Sequence, residues 1–196
     1  TSEPGEFYAV GFHGEGYVLV TPRKFYYSTD SRYIEAAQKI AGVELSLVGA
    51  GKGHLELAVE HVNTDGLKRI GIEEGYMSVA EFDRIRAAMP AEVEFAPAQT
   101  IMETLRASKD EDELALMRKA QEITDRAFTE ILNDIRPGVK ETEIAAKLTY
   151  LMMSFGAQRN SFDPIVASGP NGSMPHAIPG ERQIGKGEFV TMDFGC

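Results

Sequence analysis

The chain has 196 residues, of which 43% are hydrophobic and 26% charged, values typical of soluble globular proteins with one or two domains. Its net charge of −10 argues against a nucleic-acid partner, because neutralising phosphates requires clustered Lys and Arg. No apolar run approaches the ~20 residues of a membrane span and no signal peptide is visible, so no membrane partner is expected. The single cysteine, Cys196, permits no internal disulfide and fits a cytoplasmic location.

Strands alternate with helices along the first half of the chain, which predicts an α/β layer with a mixed sheet. After a loop-like start at residues 1–5, a turn at Pro22-Arg23 joins the first two strands into a hairpin. Ser78 is the predicted N-cap of a later helix. The predicted strands cover residues 17–21, 24–28, 43–48, 69–72 and 93–95, and the predicted helices cover residues 31–41, 54–63 and 79–88.

Two glycine-rich segments in this half have partial similarity to phosphate-binding loops. Gly14-Glu15-Gly16 precedes a strand, whereas a dinucleotide-binding loop must open a helix. In the segment GAGKG, Lys52 is followed by Gly53 instead of the Ser or Thr that a P-loop requires. We therefore expect no nucleotide site at either segment.

Two long helices are predicted in the second half of the chain. The first begins at a capping box formed by Ser108 and Glu111 and ends before Pro137-Gly138. The second runs roughly over residues 140–155, and both helices carry apolar residues at helical spacing. The segment Pro97–Ala107 is the predicted junction between two domains. The predicted domains cover residues 1–105 and 106–196.

The last part of the chain predicts a strand, a long loop and a second strand. The strand at residues 163–167 is followed by a Gly- and Pro-rich loop that carries His176, and the strand at residues 188–194 carries Asp193. A lone histidine in such a loop is usually a solvated surface residue. Aspartate is depleted in strands, and burying a carboxylate costs several kcal/mol unless it is paired or metal-bound. Asp193 is therefore either a turn or edge residue or a buried ligand.

The motifs in this stretch resemble those of the metallopeptidase family of Xaa-Pro aminopeptidases and prolidases, which have the pita-bread fold. The motifs are Phe162, IVASGPNG at residues 165–172, PHA at residues 175–177 and GEFVTMDFG at residues 187–195. The resemblance implies that Asp193 is the first ligand of a two-metal centre. It also implies that His176 faces the substrate without binding metal. Phe162 lines either the substrate pocket or the core beneath it.

The first half resembles the N-terminal domain of the same family through residues 8–12, 15–21 and 29–33. Members of the family usually have a helix and a strand before this point, and we expect both to be absent from this sequence. The expected fold is a creatinase-like N-terminal α/β domain followed by the first part of an α+β pita-bread catalytic domain. Arg32 and Tyr33 either reach a partner's active site, as this domain does in related dimers, or form an ion pair and pack in the core.

The resemblance implies metal-dependent hydrolysis of peptides with proline at the second position. The expected cofactors are two divalent ions, with Mn²⁺ preferred over Co²⁺ and Zn²⁺, because carboxylates are hard ligands. The family's remaining ligands are expected beyond Cys196, and His13, His54 and His61 show no metal-ligand spacing. A homodimer is typical of the family and is expected here.

Several alternatives stay open at this point. A creatinase-like relative hydrolyses a non-peptide substrate without metal, as an amidinohydrolase. A relative that has lost its ligands serves as a non-catalytic binding protein, although the presence of both Asp193 and His176 argues against that. The sequence does not separate an aminopeptidase from a dipeptidase. The chain is expected to be a fragment that is inactive on its own.

Overall fold

The computed structural model describes residues 2–196, which divide into two compact units between Ser108 and Lys109. Each unit has a hydrophobic core of its own. Within residues 2–196, no helix is both long enough and apolar enough to cross a bilayer.

The strands described within residues 2–108 form two sheets. β1 (Tyr17–Val20) runs antiparallel to β2 (Phe25–Thr29), which runs parallel to β3 (Glu44–Leu47). β4 (Arg69–Ile72) and β5 (Glu94–Pro97) form a separate parallel pair. The predicted mixed sheet is confirmed, because β2 has one antiparallel and one parallel neighbour.

Helices flank the strands of this unit. Those at Ile34–Ala37, His54–Asp65 and Val79–Ala88 lie where the sequence predicts helices, whereas the helix Gln99–Ala107, in the predicted domain junction, is not predicted. The helices are α1 (Glu3–Val10), α2 (Ile34–Ala37), α3 (His54–Asp65), α4 (Val79–Ala88) and α5 (Gln99–Ala107). The predicted N-cap of α4 is confirmed, since Oγ of Ser78 accepts from the backbone N–H of Glu81 at 3.2 Å. The carboxylate of Glu81 accepts from the N–H of Ser78 at 2.9 Å, which completes a capping box.

The loop predicted for residues 1–5 is wrong over the described residues, because α1 begins at Glu3. Ser2 is its N-cap, and Oγ of Ser2 accepts from the backbone N–H of Gly5 at 3.0 Å. Pro4 lies in the first turn, where its fixed φ angle suits a helix and its missing N–H leaves no unpaired donor. The helix ends at Gly11, whose φ of 78° is left-handed and favours glycine.

Tyr27 of β2 is fully buried and joins the sheet to α1. Its hydroxyl donates to Oε1 of Glu6 at 2.6 Å, and the same oxygen accepts from the backbone N–H of Gly16 at 2.7 Å. A side chain at Gly16 would overlap the Tyr27 ring and the carbonyl of Ser28. Gly16 therefore allows β1 and β2 to pack closely beneath α1.

The second unit consists of two helices and a β-hairpin. α6 (Glu111–Ile131) packs against α7 (Glu141–Ser154), and β6 (Ile165–Ser168) pairs antiparallel with β7 (Val190–Asp193). A short 3₁₀ helix, Gly169–Ser173, follows β6 directly. The predicted order of two long helices, strand, loop and strand is confirmed. The core residues are Ile123, Ala127, Ile131, Ile144, Leu148, Leu151, Met152, Val166 and Ile184.

The start of α6 differs from the prediction by two residues. Its N-cap is Asp110, whose Oδ1 accepts from the N–H of Glu113 at 2.8 Å, while the carboxylate of Glu113 accepts from the N–H of Asp110 at 2.9 Å. Ser108 instead is the C-cap of α5. The sequence contains two overlapping capping boxes, and the aspartate is used because α5 extends through Ala107.

Candidate functional site

The β6–β7 hairpin is the frame of the candidate site. In its register Ser168 lies opposite Val190, and Ile165 lies opposite Asp193. The loop leaves from the end of the ladder at Ser168, where the N–H of Gly169 donates to the carbonyl of Phe189 at 3.0 Å. The two ends of the loop are therefore held together by backbone pairing.

Asp193 is the last residue of β7 and is exposed to solvent. Val190 and Met192 point to the core of the unit, so the two-residue period of the strand places Thr191 and Asp193 on the opposite face. Of the two alternatives for Asp193, the described residues show an exposed residue at the end of a strand and not a buried carboxylate. An exposed carboxylate is hydrated and needs no counter-charge. The surroundings of Asp193 therefore give no evidence for a bound cation.

A metal centre is not complete within the described residues. Residues 2–196 contain no group of three or more His, Cys, Asp and Glu side chains placed to hold a metal ion. A carboxylate such as that of Asp193 suits hard divalent cations, but one carboxylate is a small part of a two-metal donor set. Asp193 thus fits the role of one ligand and no more.

His176 lies on a turn in the loop and is exposed. The N–H of Ala177 donates to the carbonyl of Met174 at 3.2 Å, which closes the turn, and Ala177 is buried beside it. Phe162 comes just before β6, with its side chain 45% exposed. The N–H of Ser161 donates to the carbonyl of Gly195 at 2.9 Å, so Phe162 lies at the same end of the hairpin as Asp193. The loop that carries His176 departs from the other end.

Sequence reasoning missed Glu141, the first residue of α7 and a carboxylate with no exposed surface. Its Oε1 accepts from the N–H and the Oγ of Ser168 at 2.7 and 2.9 Å. The side-chain amide of Asn171 donates to both of its oxygens at 3.1 and 3.2 Å, and the N–H of Gly180 donates to Oε2 at 3.2 Å. We call this set of contacts, from Ser168, Asn171 and Gly180 to Glu141, the Glu141 clamp.

The hydrogen bonds of the clamp determine the charge of Glu141. Burial alone would raise the pKa of this carboxyl, but the donors of Ser168, Gly180 and Asn171 outweigh it and hold the pKa below its usual value. Glu141 is therefore ionised at neutral pH. No local pattern reveals this role, because the partners of Glu141 are 27, 30 and 39 residues away in sequence.

An ion pair closes the base of the same loop. Arg182 donates to the two carboxylate oxygens of Glu188 at 2.8 and 2.6 Å, and the same guanidinium donates to Oγ of Ser168 at 2.5 Å. Arg182 also lowers the pKa of Glu188 through these bonds. The hydroxyl of Ser168 thus accepts from Arg182 and donates to Glu141, so it connects the ion pair to the clamp.

Arg32 and Tyr33 of the first unit are engaged with their own neighbours. Arg32 pairs with Glu15 at 2.6 Å and with Asp30 at 2.7 Å. The hydroxyl of Tyr33 donates to Glu15 at 3.0 Å, and its ring lies under the Arg32 guanidinium at 5.1 Å. The structure thus contains the ion pair that was one of the two expectations for Arg32. Tyr33 is half-buried beside it and is not a core residue.

The first unit also contains a cavity of about 700 Å³ among β1, β4, α3 and α4. Its wall is mostly apolar and includes Val18, Val62, Ile70 and Phe95. None of Phe162, His176 and Asp193 lines it. The cavity is therefore separate from the candidate site.

Two family models match the chain. The Creatinase/Prolidase N-terminal domain matches residues 1–108, and metallopeptidase family M24 matches residues 115–196. An α/β unit followed by the helices and hairpin of an M24 domain defines a class of metallopeptidases. The chain belongs to the Xaa-Pro aminopeptidase and prolidase family of these pita-bread enzymes. The predicted family and fold class are confirmed.

Relatives and solved structures match along the whole chain. The chain is 34% identical to the uncharacterized peptidase YqhT of Bacillus subtilis, with all of this chain and 55% of the relative aligned. It is similar to the Xaa-Pro dipeptidase structure from Bacillus anthracis, with a TM-score of 0.92, 34% identity, and coverage of 100% of this chain and 54% of that one. The X-Pro aminopeptidase structure from Thermotoga maritima gives a TM-score of 0.90 at 32% identity, over 98% of this chain and 55% of that one. The chain thus spans about half the length of these relatives.

Proposed function

We propose that the full-length protein hydrolyses the peptide bond between an N-terminal residue and proline, as a metal-dependent Xaa-Pro peptidase. The observation that carries this proposal is the likeness of the whole chain to a solved Xaa-Pro dipeptidase and a solved X-Pro aminopeptidase. His176, on the loop, and Asp193, at the end of β7, are the residues of this chain to which the proposal assigns chemical roles.

In this proposal His176 binds the substrate. Its exposed ring on the loop turn is free to donate a hydrogen bond to the carbonyl oxygen of the scissile bond. That bond becomes stronger as negative charge develops on the oxygen in the transition state, so it lowers the barrier more than it tightens substrate binding. Hydrolysis adds the hydroxyl group of one water molecule to the carbonyl carbon as the C–N bond breaks, and the remaining proton of that water goes to the proline nitrogen, which carries no hydrogen in the peptide bond and leaves as a secondary amine.

Asp193 is the proposed metal ligand within this chain. Its exposed carboxylate at the end of β7 offers oxygen atoms to a divalent cation, and the other ligands are proposed to come from the rest of the full-length protein. A pair of divalent ions supplies Lewis acidity and lowers the pKa of water when bound. We assign Mn²⁺ as the preferred ion, with Co²⁺ and Zn²⁺ as the other choices.

Phe162 is proposed to contact the proline ring of the substrate. Its side chain is 45% exposed at the end of the hairpin that carries Asp193, so an apolar ring can pack on it. The proposal also includes a homodimer and a cytoplasmic location, as the family and the single cysteine suggest. Sedimentation of the full-length protein and fractionation of cells test these two points directly.

The test of function is an assay on the full-length protein after its metal has been stripped and restored. We expect release of proline or of a Pro-led peptide from Xaa-Pro substrates when Mn²⁺, Co²⁺ or Zn²⁺ is returned, and none from matched Xaa-Ala substrates. Comparing Xaa-Pro with Xaa-Pro-Gly separates a dipeptidase from an aminopeptidase. Failure of all three metals to support Xaa-Pro hydrolysis contradicts the proposal, and turnover of a guanidino substrate without metal would favour the creatinase-like alternative.

A further inference from the structure

The Glu141 clamp encloses the segment that contains His176. The side chain of Asn171, at the start of that segment, and the N–H of Gly180, at its end, both donate to Oε2 of Glu141. Between them the N–H of Met174 donates to the carbonyl of Asn171 at 3.0 Å, and the N–H of Ala177 donates to that of Met174 at 3.2 Å. Because both ends of this segment are hydrogen-bonded to one carboxylate, its conformational freedom is small.

The clamp requires an acceptor and not merely a polar group. The N–H and hydroxyl of Ser168, the amide of Asn171 and the N–H of Gly180 all donate toward Glu141. A glutamine of the same shape offers one oxygen and turns an NH₂ group against some of these donors. Hydrogen bonds to an ionised acceptor are also stronger than those to a neutral amide. Replacing Glu141 by Gln should therefore loosen the loop while keeping the volume of the side chain.

α7 is firmly fixed, so it can serve as the anchor of the loop. Ile144, Leu148 and Met152 of this helix are buried in the core. The N–H of Glu141 donates to the carbonyl of Arg182 at 3.0 Å, which joins the start of the helix to the returning part of the loop. The carboxylate thus ties a rigid helix to residues 171–180, among which only Ala177 is buried.

We propose that Glu141 is a positioning residue for Xaa-Pro hydrolysis, because it holds the loop in the conformation that presents His176 to the substrate. This inference rests on the proposed function. Glu141 does not touch the reacting atoms and acts through His176. Its loss should lower kcat more than it raises KM, because a misplaced histidine loses a bond that is made chiefly in the transition state.

A double-mutant cycle in the full-length protein tests this. The variants are Glu141→Gln, His176→Ala and the two combined, with Glu143→Gln, an exposed carboxylate on the same helix, as the matched control. We expect Glu141→Gln to lower kcat by about 10- to 100-fold, because a displacement of ~1 Å has that effect on a reaction. In the His176→Ala background the same change should lower kcat by less than about threefold, since the residue through which it acts is gone.

Two results would overturn the proposal. The first is an unchanged kcat in folded Glu141→Gln. The second is an equal loss of kcat with and without His176, which would mean that Glu141 acts elsewhere. If the Gln variant does not fold, Asn171→Ala tests the same clamp from the loop side and should show the same dependence on His176.

Amide hydrogen exchange tests the clamp without any reference to activity. In Glu141→Gln, the amides of Ser168, Ala177 and Gly180 should exchange about tenfold faster or more, while those of Leu148 and Met152 should not change. Equal protection in both proteins would refute the clamp even if Xaa-Pro hydrolysis is present. Absence of Xaa-Pro hydrolysis in the unmodified protein would instead refute the proposed function, with the exchange result standing by itself.

Discussion

Tyr27 donates its phenolic hydrogen to Glu6 at 2.6 Å, and this bond joins the central strand of the first sheet to the first helix. The carboxylate of Glu6 is only 4% exposed. Burial raises the pKa of Tyr27 well above its ordinary range, and the hydrogen bond to Glu6 adds to the effect. Tyr27 therefore stays protonated and serves as a permanent donor to a buried acid.

Removing this donor should destabilise the first unit. Tyr27→Phe leaves the buried carboxylate of Glu6 with one fewer partner, and we expect a loss of about 1–3 kcal/mol in the free energy of unfolding. Urea denaturation of the chain measures it. Tyr26→Phe is the matched control, because its hydroxyl bonds to the less buried Asp65 at 3.1 Å and its loss should cost less. Equal losses in the two variants would contradict the prediction.

Replacing His176 should reduce turnover without releasing metal. In the full-length protein, His176→Ala should lower kcat by about 10²- to 10³-fold, the usual cost of removing one donor to a developing oxyanion. Metal content by elemental analysis should stay unchanged, because the residue is proposed to contact substrate alone. A variant that loses its metal would show that His176 is a ligand.

Replacing Asp193, unlike replacing His176, should lower the metal content of the protein. Asp193→Asn keeps the shape of the side chain but removes its charge, so metal occupancy of the full-length protein should fall along with activity. Asp163→Asn is the control, since Asp163 is exposed just before β6. We expect the control to keep its full metal content. Normal occupancy in Asp193→Asn would exclude that residue from the metal centre.

His61 should make the stability of the first unit sensitive to mild acid. The ring is buried between Tyr17, which lies 2.8 Å from Nδ1, and Ser46, which lies 3.1 Å from Nε2, and it stacks on Tyr26 with a centroid distance of 4.0 Å. Burial lowers the pKa of His61, an effect that Lys24 reinforces. Glu60, Glu44 and Asp65 oppose it.

The sign of the pH effect follows from that lowered pKa. Below about pH 6.5 the unfolded chain binds a proton at this histidine and the folded chain does not, so the free energy of unfolding falls as the pH falls. The loss continues down to the folded pKa, with a slope of at most ~1.4 kcal/mol per pH unit from this group. Urea midpoints between pH 7 and pH 5 measure it, and His61→Gln should flatten the slope. A slope that persists in the variant would assign the effect to other groups.

Local sequence signals predicted most of the helices and strands. Ser78 and Glu81 form a capping box that needs only four consecutive residues, and α4 begins where they predict. The helix α6 begins two residues later than the sequence predicts, because Ser108 and Asp110 each stand three residues before a glutamate. Which of the two capping boxes starts the helix depends on where α5 ends. The four-residue pattern carries no information about the end of α5.

Long-range features of the site could not be predicted from local signals. The face on which Asp193 lies depends on the register of β7 against β6 and on which side of the hairpin the helices cover. The role of Glu141 depends on donors up to 39 residues away. A glutamate at the start of a helix is common, and its sequence neighbours give no sign that it is buried.

The anchoring of the loop has a consequence for protein engineering. The clamp binds the loop through Asn171 and Gly180, whereas Met174 and Ile178 between them are 48% and 88% exposed. Because these two side chains are exposed, they contribute little to the stability of the fold, and both positions can be randomised without unfolding the protein. A library at positions 174 and 178 is therefore a way to test whether the loop around His176 influences the substrate range of the proposed peptidase.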